Sequence, residues 1–207
     1  MFNTKARQER KLGTPLFLKP NRSLTGKSAI TRRPNRPGQH GAARRRTGSE
    51  FARQLTEKQK VRFTYGVRET QMKNYFRKAS SSVESTGASL VNLLERRLDN
   101  VVYRLGIAPS RSVARQAVGH GHIQVNGKRV SAPSAQLRIG DVVTVRPQSK
   151  EYQLFKDLTE RLKKADVPAW LSINAETAEG TVKALPKDIE TAFDISLVVD
   201  YYSKLVK

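Results

Sequence analysis

Cysteine is absent from all 207 residues, which removes disulfides, thiolate metal ligands and cysteine nucleophiles together. Histidine is nearly absent too. His40, His120 and His122 are too few and too scattered for a zinc site, so no metal is expected. No apolar run reaches the roughly 18 residues that a membrane span needs, and no N-terminal apolar segment reads as a secretory signal. No membrane partner is expected, and synthesis in a cytoplasm-like compartment follows. Neither a Walker loop nor a dinucleotide fingerprint occurs, so no cofactor is expected.

Acidic residues are scarce, and their scarcity is uneven. The chain has 39 Lys and Arg against 18 Asp and Glu, a formal charge of +21, and its pI is near 10.7. Such a chain repels itself unless a polyanion neutralises it, and nucleic acid is the obvious polyanion. Residues 1–62 hold 17 basic and 3 acidic residues, residues 63–150 hold 14 and 5, and residues 151–207 hold 8 and 10. This gradient places RNA contact in the N-terminal third and a protein or solvent face in the last.

Residues 1–46 are rich in Arg, Lys, Pro and Gly and lack a periodic apolar pattern, so they read as a basic extended arm. An organellar transit peptide is similarly Arg-rich, but Pro34, Pro37, Gly38 and Gly41 break the amphipathic helix it would need. From Phe51 and Leu55 the pattern turns helical, with a stop at Tyr65-Gly66 and a second helix carrying Met72, Phe76 and Ala79. SSSVESTGAS reads as a linker. One longer helix is then expected to carry Leu90, Leu93, Leu94, Leu98, Val101, Val102 and Leu105 on a single stripe. Ser110 caps a short helix with Val113, Ala114, Ala117 and Val118 inward, ending at Gly119. IQVNGKRV is a strand, turn and strand, because Asn126-Gly127 tolerates the positive φ angles of a tight hairpin. LRIGDVVTVR, with Val143 and Val145 after the Gly140-Asp141 turn, can complete a small sheet. The segment from Asp194, with Ile195, Val198, Val199 and Tyr202, is a helix that packs back on the upstream helices.

RRLDNVVYRLG, SRSVARQAVGHGHIQVNGKRV and LRIGDVVTVR together resemble the RNA-binding module named after small-subunit ribosomal protein 4. Upstream, PGQHG, EKQKVRFTYGV and QMKNYFRKA resemble the arm and helical region of the bacterial-type family. Downstream, PAWLSIN, Gly180, Pro186 and LVVDYYSK resemble its closing segments, so nearly the whole chain is covered. The resemblance implies an α+β fold. A basic arm over 1–46 precedes a helical domain over 47–89, completed by 191–207, and a mixed helix and β-hairpin RNA-binding module over 90–190. Many relatives bind zinc through cysteines in the arm; in this cysteine-free variant RNA must order the arm instead.

The resemblance further implies a structural component of the small (30S) ribosomal subunit, in the cytoplasm, that binds the 5′ domain of 16S rRNA and nucleates assembly of the subunit body. Its implied partners are small-subunit ribosomal protein 5, other small-subunit proteins and messenger RNA near the entry channel, with an influence on translational accuracy. The side chains expected on RNA are Arg32, Arg33, His40, Arg44, Arg45, Arg46, Arg53, Lys58, Lys60, Arg62, Arg68, Lys73, Arg77, Arg97, Arg104, Arg111, Arg115, His120, Lys128 and Arg129. Isolated basic pairs often only solvate a surface, but the cluster at 44–62 favours binding. His120 and His122 touch phosphate or a base, or hold structural hydrogen bonds; the residues leave both open. Tyr65, Tyr75, Phe76 and Trp170 are expected to pack in the core. Arg97-Leu98-Asp99 spells the tripeptide around the catalytic aspartate of pseudouridine synthases, yet no catalytic-domain sequence accompanies it, and Asp99 is expected on a helix surface paired with Arg96 or an RNA-bound residue. No enzymatic activity is expected. The alternatives are a non-ribosomal RNA chaperone and the accessory module of an rRNA-modifying enzyme.

Overall fold

A computed structural model describes residues 5–18, 28–43, 48–187 and 189–205. In chain order its elements are α1 (Lys5–Leu12), α2 (Ala29–Arg32), α3 (Glu50–Tyr65), α4 (Glu69–Ser80), α5 (Thr86–Glu95), α6 (Leu98–Arg104), α7 (Arg111–Gly119), β1 (Ile123–Val125), β2 (Lys128–Arg129), β3 (Val142–Val145), a 3₁₀ turn (Pro147–Ser149), α8 (Leu158–Lys163), β4 (Leu171–Asn174), β5 (Glu179–Val182) and α9 (Ile195–Ser203). They divide into two compact units, residues 1–90 with 190–207 and residues 91–189.

The first unit is helical. α3 starts where the Ser49 hydroxyl accepts the Ala52 N–H and stops at Gly66, whose φ is 62°. α9 starts at Asp194, whose carboxylate accepts the Ser196 N–H, and packs against α3 and α4. Val61, Met72, Phe76, Val198 and Tyr202 are buried between these helices, with the Phe76 and Tyr202 rings 5.5 Å apart. The arm differs from the extended chain expected. Two short helices form in it, because Arg10 replaces an apolar core with hydrogen bonds, donating to the carbonyls of Arg33 and Asn35 at 3.0 Å each and of Arg36 at 3.4 Å. The linker expected over 80–89 is also shorter: Ser85 accepts the Ala88 N–H, and α5 begins at Thr86.

The single helix expected from Leu90 to Leu105 is two helices, α5 and α6. The stripe residues Leu90, Leu94, Leu98, Val101, Val102 and Leu105 are buried as expected and Leu93 is half-buried, but the chain is extended at Arg97, with φ −64° and ψ 136°. Tertiary hydrogen bonds compete there with helical ones. Leu98 N–H donates to the Ala135 carbonyl (2.9 Å), Leu137 N–H to the Arg96 carbonyl (3.0 Å), and Arg97 forms a β-bridge with Gln136.

α6 and α7 pack on an antiparallel sheet of order β2-β1-β3-β5-β4. The β1–β2 hairpin turns at Asn126 (φ 51°) and Gly127 (φ 75°), as the Asn-Gly pair requires. The Asn126 side chain fastens the turn to β3, donating to Asp141 (2.8 Å) and accepting the Val142 N–H (2.9 Å). Inward Val143 and Val145 alternate with half-buried neighbours, and Trp170 packs in the same core. Each fully buried aliphatic side chain contributes about 1.5–3 kcal/mol.

Candidate nucleic-acid interface

The second unit carries its cations on a buried polar frame. Asp99, near the start of α6, is only 3% exposed and accepts hydrogen bonds from two arginines. Arg97 reaches it at 3.0 and 2.8 Å, and Arg115 of α7 at 3.0 and 2.6 Å. Glu95 is fully buried beside it, accepting from Arg104 at 3.0 and 2.8 Å and from the Asn100 side chain at 2.7 Å. Asn100 in turn accepts from Arg111 at 2.7 Å, and the Arg111 guanidinium lies 4.5 Å from the centre of the Tyr103 ring. Two carboxylates and the Asn100 amide thus organise four guanidiniums, leaving an excess of positive charge. The Arg104 and Arg115 side chains remain 27% and 36% exposed. A guanidinium anchored through one edge keeps a fixed direction, which is what recognition of phosphates in a set geometry requires.

The structure corrects three expectations. Arg97 is 2% exposed and paired internally, so it cannot reach RNA without dismantling the Asp99 site. Asp99 is not on the helix surface and does not pair with Arg96, whose Nε instead donates to the Leu137 carbonyl at 2.8 Å. In the first unit Lys58, expected on RNA, is 4% exposed and donates to Glu69 at 3.0 Å.

Around Glu69 the charges are also committed inward. Burial pushes its carboxyl up, but hydrogen bonds from Lys58 and Tyr202, with the field of Lys58 and Arg62, outweigh burial and hold it below its usual range. Tyr202 is pushed the other way, its phenol raised by burial and by donating to Glu69 at 2.9 Å. Arg62 reaches Glu69 at 3.4 Å, and Lys60 pairs with Glu57 at 2.6 Å; both side chains are partly buried. Arg53, Arg68 and Arg77 are exposed and Lys73 is half-buried, while Arg32, Arg33 and His40 are exposed on the arm. Arg44, Arg45 and Arg46 lie outside the described residues.

At the hairpin Lys128 and Arg129 are exposed, as is His120, whose carbonyl accepts from Arg129 at 3.4 Å. His122 is lowered in pKa by burial and by the positive charges of His120, Arg129 and Arg146. Its Nδ1 shares a hydrogen bond with the Ser149 hydroxyl at 3.0 Å, a contact that the sequence left open. The acceptors Glu95, Asp99 and Asn100 were missed as organisers of the basic surface. Their signal was present: two of the 5 acidic residues in 63–150 stand within one short stretch of arginines.

Family models place these features. Residues 2–95 match the ribosomal protein S4/S9 N-terminal domain and residues 96–143 match the S4 domain. The chain is 47% identical over 200 residues to "Small ribosomal subunit protein uS4" of Syntrophomonas wolfei, covering 96% of each chain. It is 48% identical over 204 residues to that of Nitratidesulfovibrio vulgaris strain DP4, covering 98% of each. With that of Gloeobacter violaceus it shares 50% over 197 residues, 94% of each. The chain belongs to the uS4 family. Its S4 domain holds Arg97, Asp99, Arg104, Arg111, Arg115 and the β1–β2 hairpin, while Glu95 is the last residue of the uS4 N-terminal match. The pseudouridine-synthase tripeptide in this uS4 chain carries a buried aspartate held by two arginines, which is a structural arrangement.

Proposed function

We propose that this chain is a structural, non-enzymatic component of the small (30S) ribosomal subunit, acting on the cytoplasmic ribosome by binding 16S rRNA directly. The observation that carries the reading is the set of arginines on α6 and α7 fixed by buried Glu95, Asp99 and Asn100 within a chain of charge +21. Phosphate neutralisation supplies affinity, and the fixed directions of the forks supply selection of one backbone shape over others. Under this proposal RNA is contacted by Arg104, Arg111, Arg115, His120, Lys128 and Arg129 in the second unit. In the first unit the contacts are Arg32, Arg33, His40, Arg53, Lys60, Arg62, Arg68, Lys73 and Arg77, with Arg44, Arg45 and Arg46 added from the charge pattern.

The finer reading is that the RNA site is a multi-helix junction in the 5′ domain, bound early as the subunit body assembles. Folded junctions bring backbones into unusual geometries, which suits recognition by rigid forks. Ribosomal protein 5, with messenger RNA near the entry channel, completes the reading through its effect on decoding accuracy; the C-terminal third supports a protein partner, holding 10 acidic against 8 basic residues. Chemical footprinting of 16S rRNA with and without the chain tests it. Protection confined to one junction of the 5′ domain is expected. Diffuse protection, or equal affinity for scrambled RNA at fixed salt, would replace the reading with that of a general chaperone.

A further inference from the structure

Tyr152 is 58% exposed. Its ring lies against that of His122, centroids 5.1 Å apart, and His120 adds a third ring 5.9 Å from His122. The group is held stiffly. The Tyr152 N–H donates to the Ser149 carbonyl (3.2 Å) and the Phe155 N–H to the Tyr152 carbonyl (2.8 Å), with Phe155 buried beneath. The Arg146 N–H donates to the His122 carbonyl at 2.8 Å. Gly121, at φ 75°, lets the Arg129 guanidinium lie across the backbone beside His120, where any Cβ would collide with it.

We propose that Tyr152 and His122 form a stacking platform for one unpaired RNA base, with Arg129, Arg146 and His120 receiving the flanking phosphates. The proposal rests on the rRNA-binding reading and adds a base subsite to it. Two features select this occupant. Among the described residues neither Arg129 nor Arg146 has a carboxylate at ion-pair distance, in contrast to Arg97, Arg104 and Arg115. An exposed ring beside uncompensated cations is complementary to a nucleotide, which joins an aromatic face to an anion. A base inside a duplex offers no free face, so the nucleotide must be unstacked. Burial and the surrounding cations favour neutral His122, which keeps the platform from adding repulsion beside Arg146.

The test measures affinity of the full chain for a 5′-domain transcript of 16S rRNA, for a scrambled RNA and for a fully paired RNA of equal length, across a salt series. Tyr152→Leu is expected to weaken transcript binding roughly tenfold while leaving duplex binding and the salt slope unchanged, within the range of base–aromatic stacking. Tyr152→Phe is expected to bind within about twofold of the original chain. Arg129→Gln should shallow the salt slope by about one phosphate's worth. Since Tyr152 is exposed, Tyr152→Leu should keep the original thermal midpoint. Unchanged transcript affinity in Tyr152→Leu overturns the platform, as does equal weakening toward the duplex or failure of Tyr152→Phe to restore binding. If the original chain itself does not prefer the transcript to scrambled RNA, the rRNA reading fails, and the platform falls with it.

Discussion

Asp99 and Glu69 each gather cations, and each makes a different experiment possible. Removing the Asp99 carboxylate strands Arg97, a guanidinium 2% exposed, so Asp99→Ala is expected to cost about 3–5 kcal/mol of stability in urea unfolding. Arg115→Ala leaves Asp99 paired with Arg97 and is expected to cost less, about 1.5–3 kcal/mol. Equal losses would show that the two arginines do not share the carboxylate. Glu69 and Tyr202 predict a pH dependence with two edges. The Glu69 carboxyl is lowered in the fold, so its stabilisation is present above its unfolded value of 4.5 and is lost as pH falls through the folded value. Tyr202 is raised above its unfolded value of 10.0, so its contribution is full below that pH and is lost as pH rises through the folded value. Thermal midpoints measured by circular dichroism should therefore fall on both sides, and Tyr202→Phe should lose its deficit relative to the original chain at strongly alkaline pH. A deficit that stays constant there would remove the Tyr202–Glu69 bond from the account. The positive charge that draws RNA was legible in one dimension, whereas the inward commitment of Arg97 and Lys58 was not. Lys58 and Glu69 are 11 residues apart and meet only when α3 folds against α4.

Among the elements, the hairpin and the α5–α6 break mark the two limits of what local sequence encodes. The Asn126-Gly127 turn was legible because the conformation depends on those two residues themselves. The space around the Gly127 α-carbon is open for a β-carbon, so the cost of Gly127→Val is set chiefly by the backbone strain of φ 75°. An expected cost of about 1–2 kcal/mol should lower the thermal midpoint by a few degrees. An unchanged midpoint would mean that the turn had re-formed without positive φ. The break at Arg96-Arg97 was illegible for the opposite reason. Apolar spacing runs on through it, since Leu90 and Leu94 before the break and Leu98, Val101 and Val102 after it are all buried, and the hydrogen bonds that open it come from residues 135–137. The helices α1 and α2 were hidden likewise, because Arg10 satisfies carbonyls more than twenty residues away.

For the molecule as a whole, the governing quantity is the fall in charge along the chain, from +14 in residues 1–62 to −2 in residues 151–207. Binding driven by counterion release has a logarithmic salt slope of about −0.7 to −0.9 per phosphate neutralised, depending on whether the strand is single or paired. The contribution of Arg44, Arg45 and Arg46 can thus be read in solution. Replacing all three by Ala removes three cations from the most basic third, so if each meets a phosphate the slope should become shallower by about 2–3. Affinity should fall for every RNA sequence to a similar degree, because phosphate contacts carry little sequence information. The thermal midpoint of the free chain should not fall, since removing three positive charges from a chain of charge +21 relieves repulsion. A slope equal to that of the original chain would assign the neutralised phosphates to α6, α7 and the hairpin instead. In that case the same replacement of Lys128 and Arg129 should produce the change in slope that the triple variant lacked.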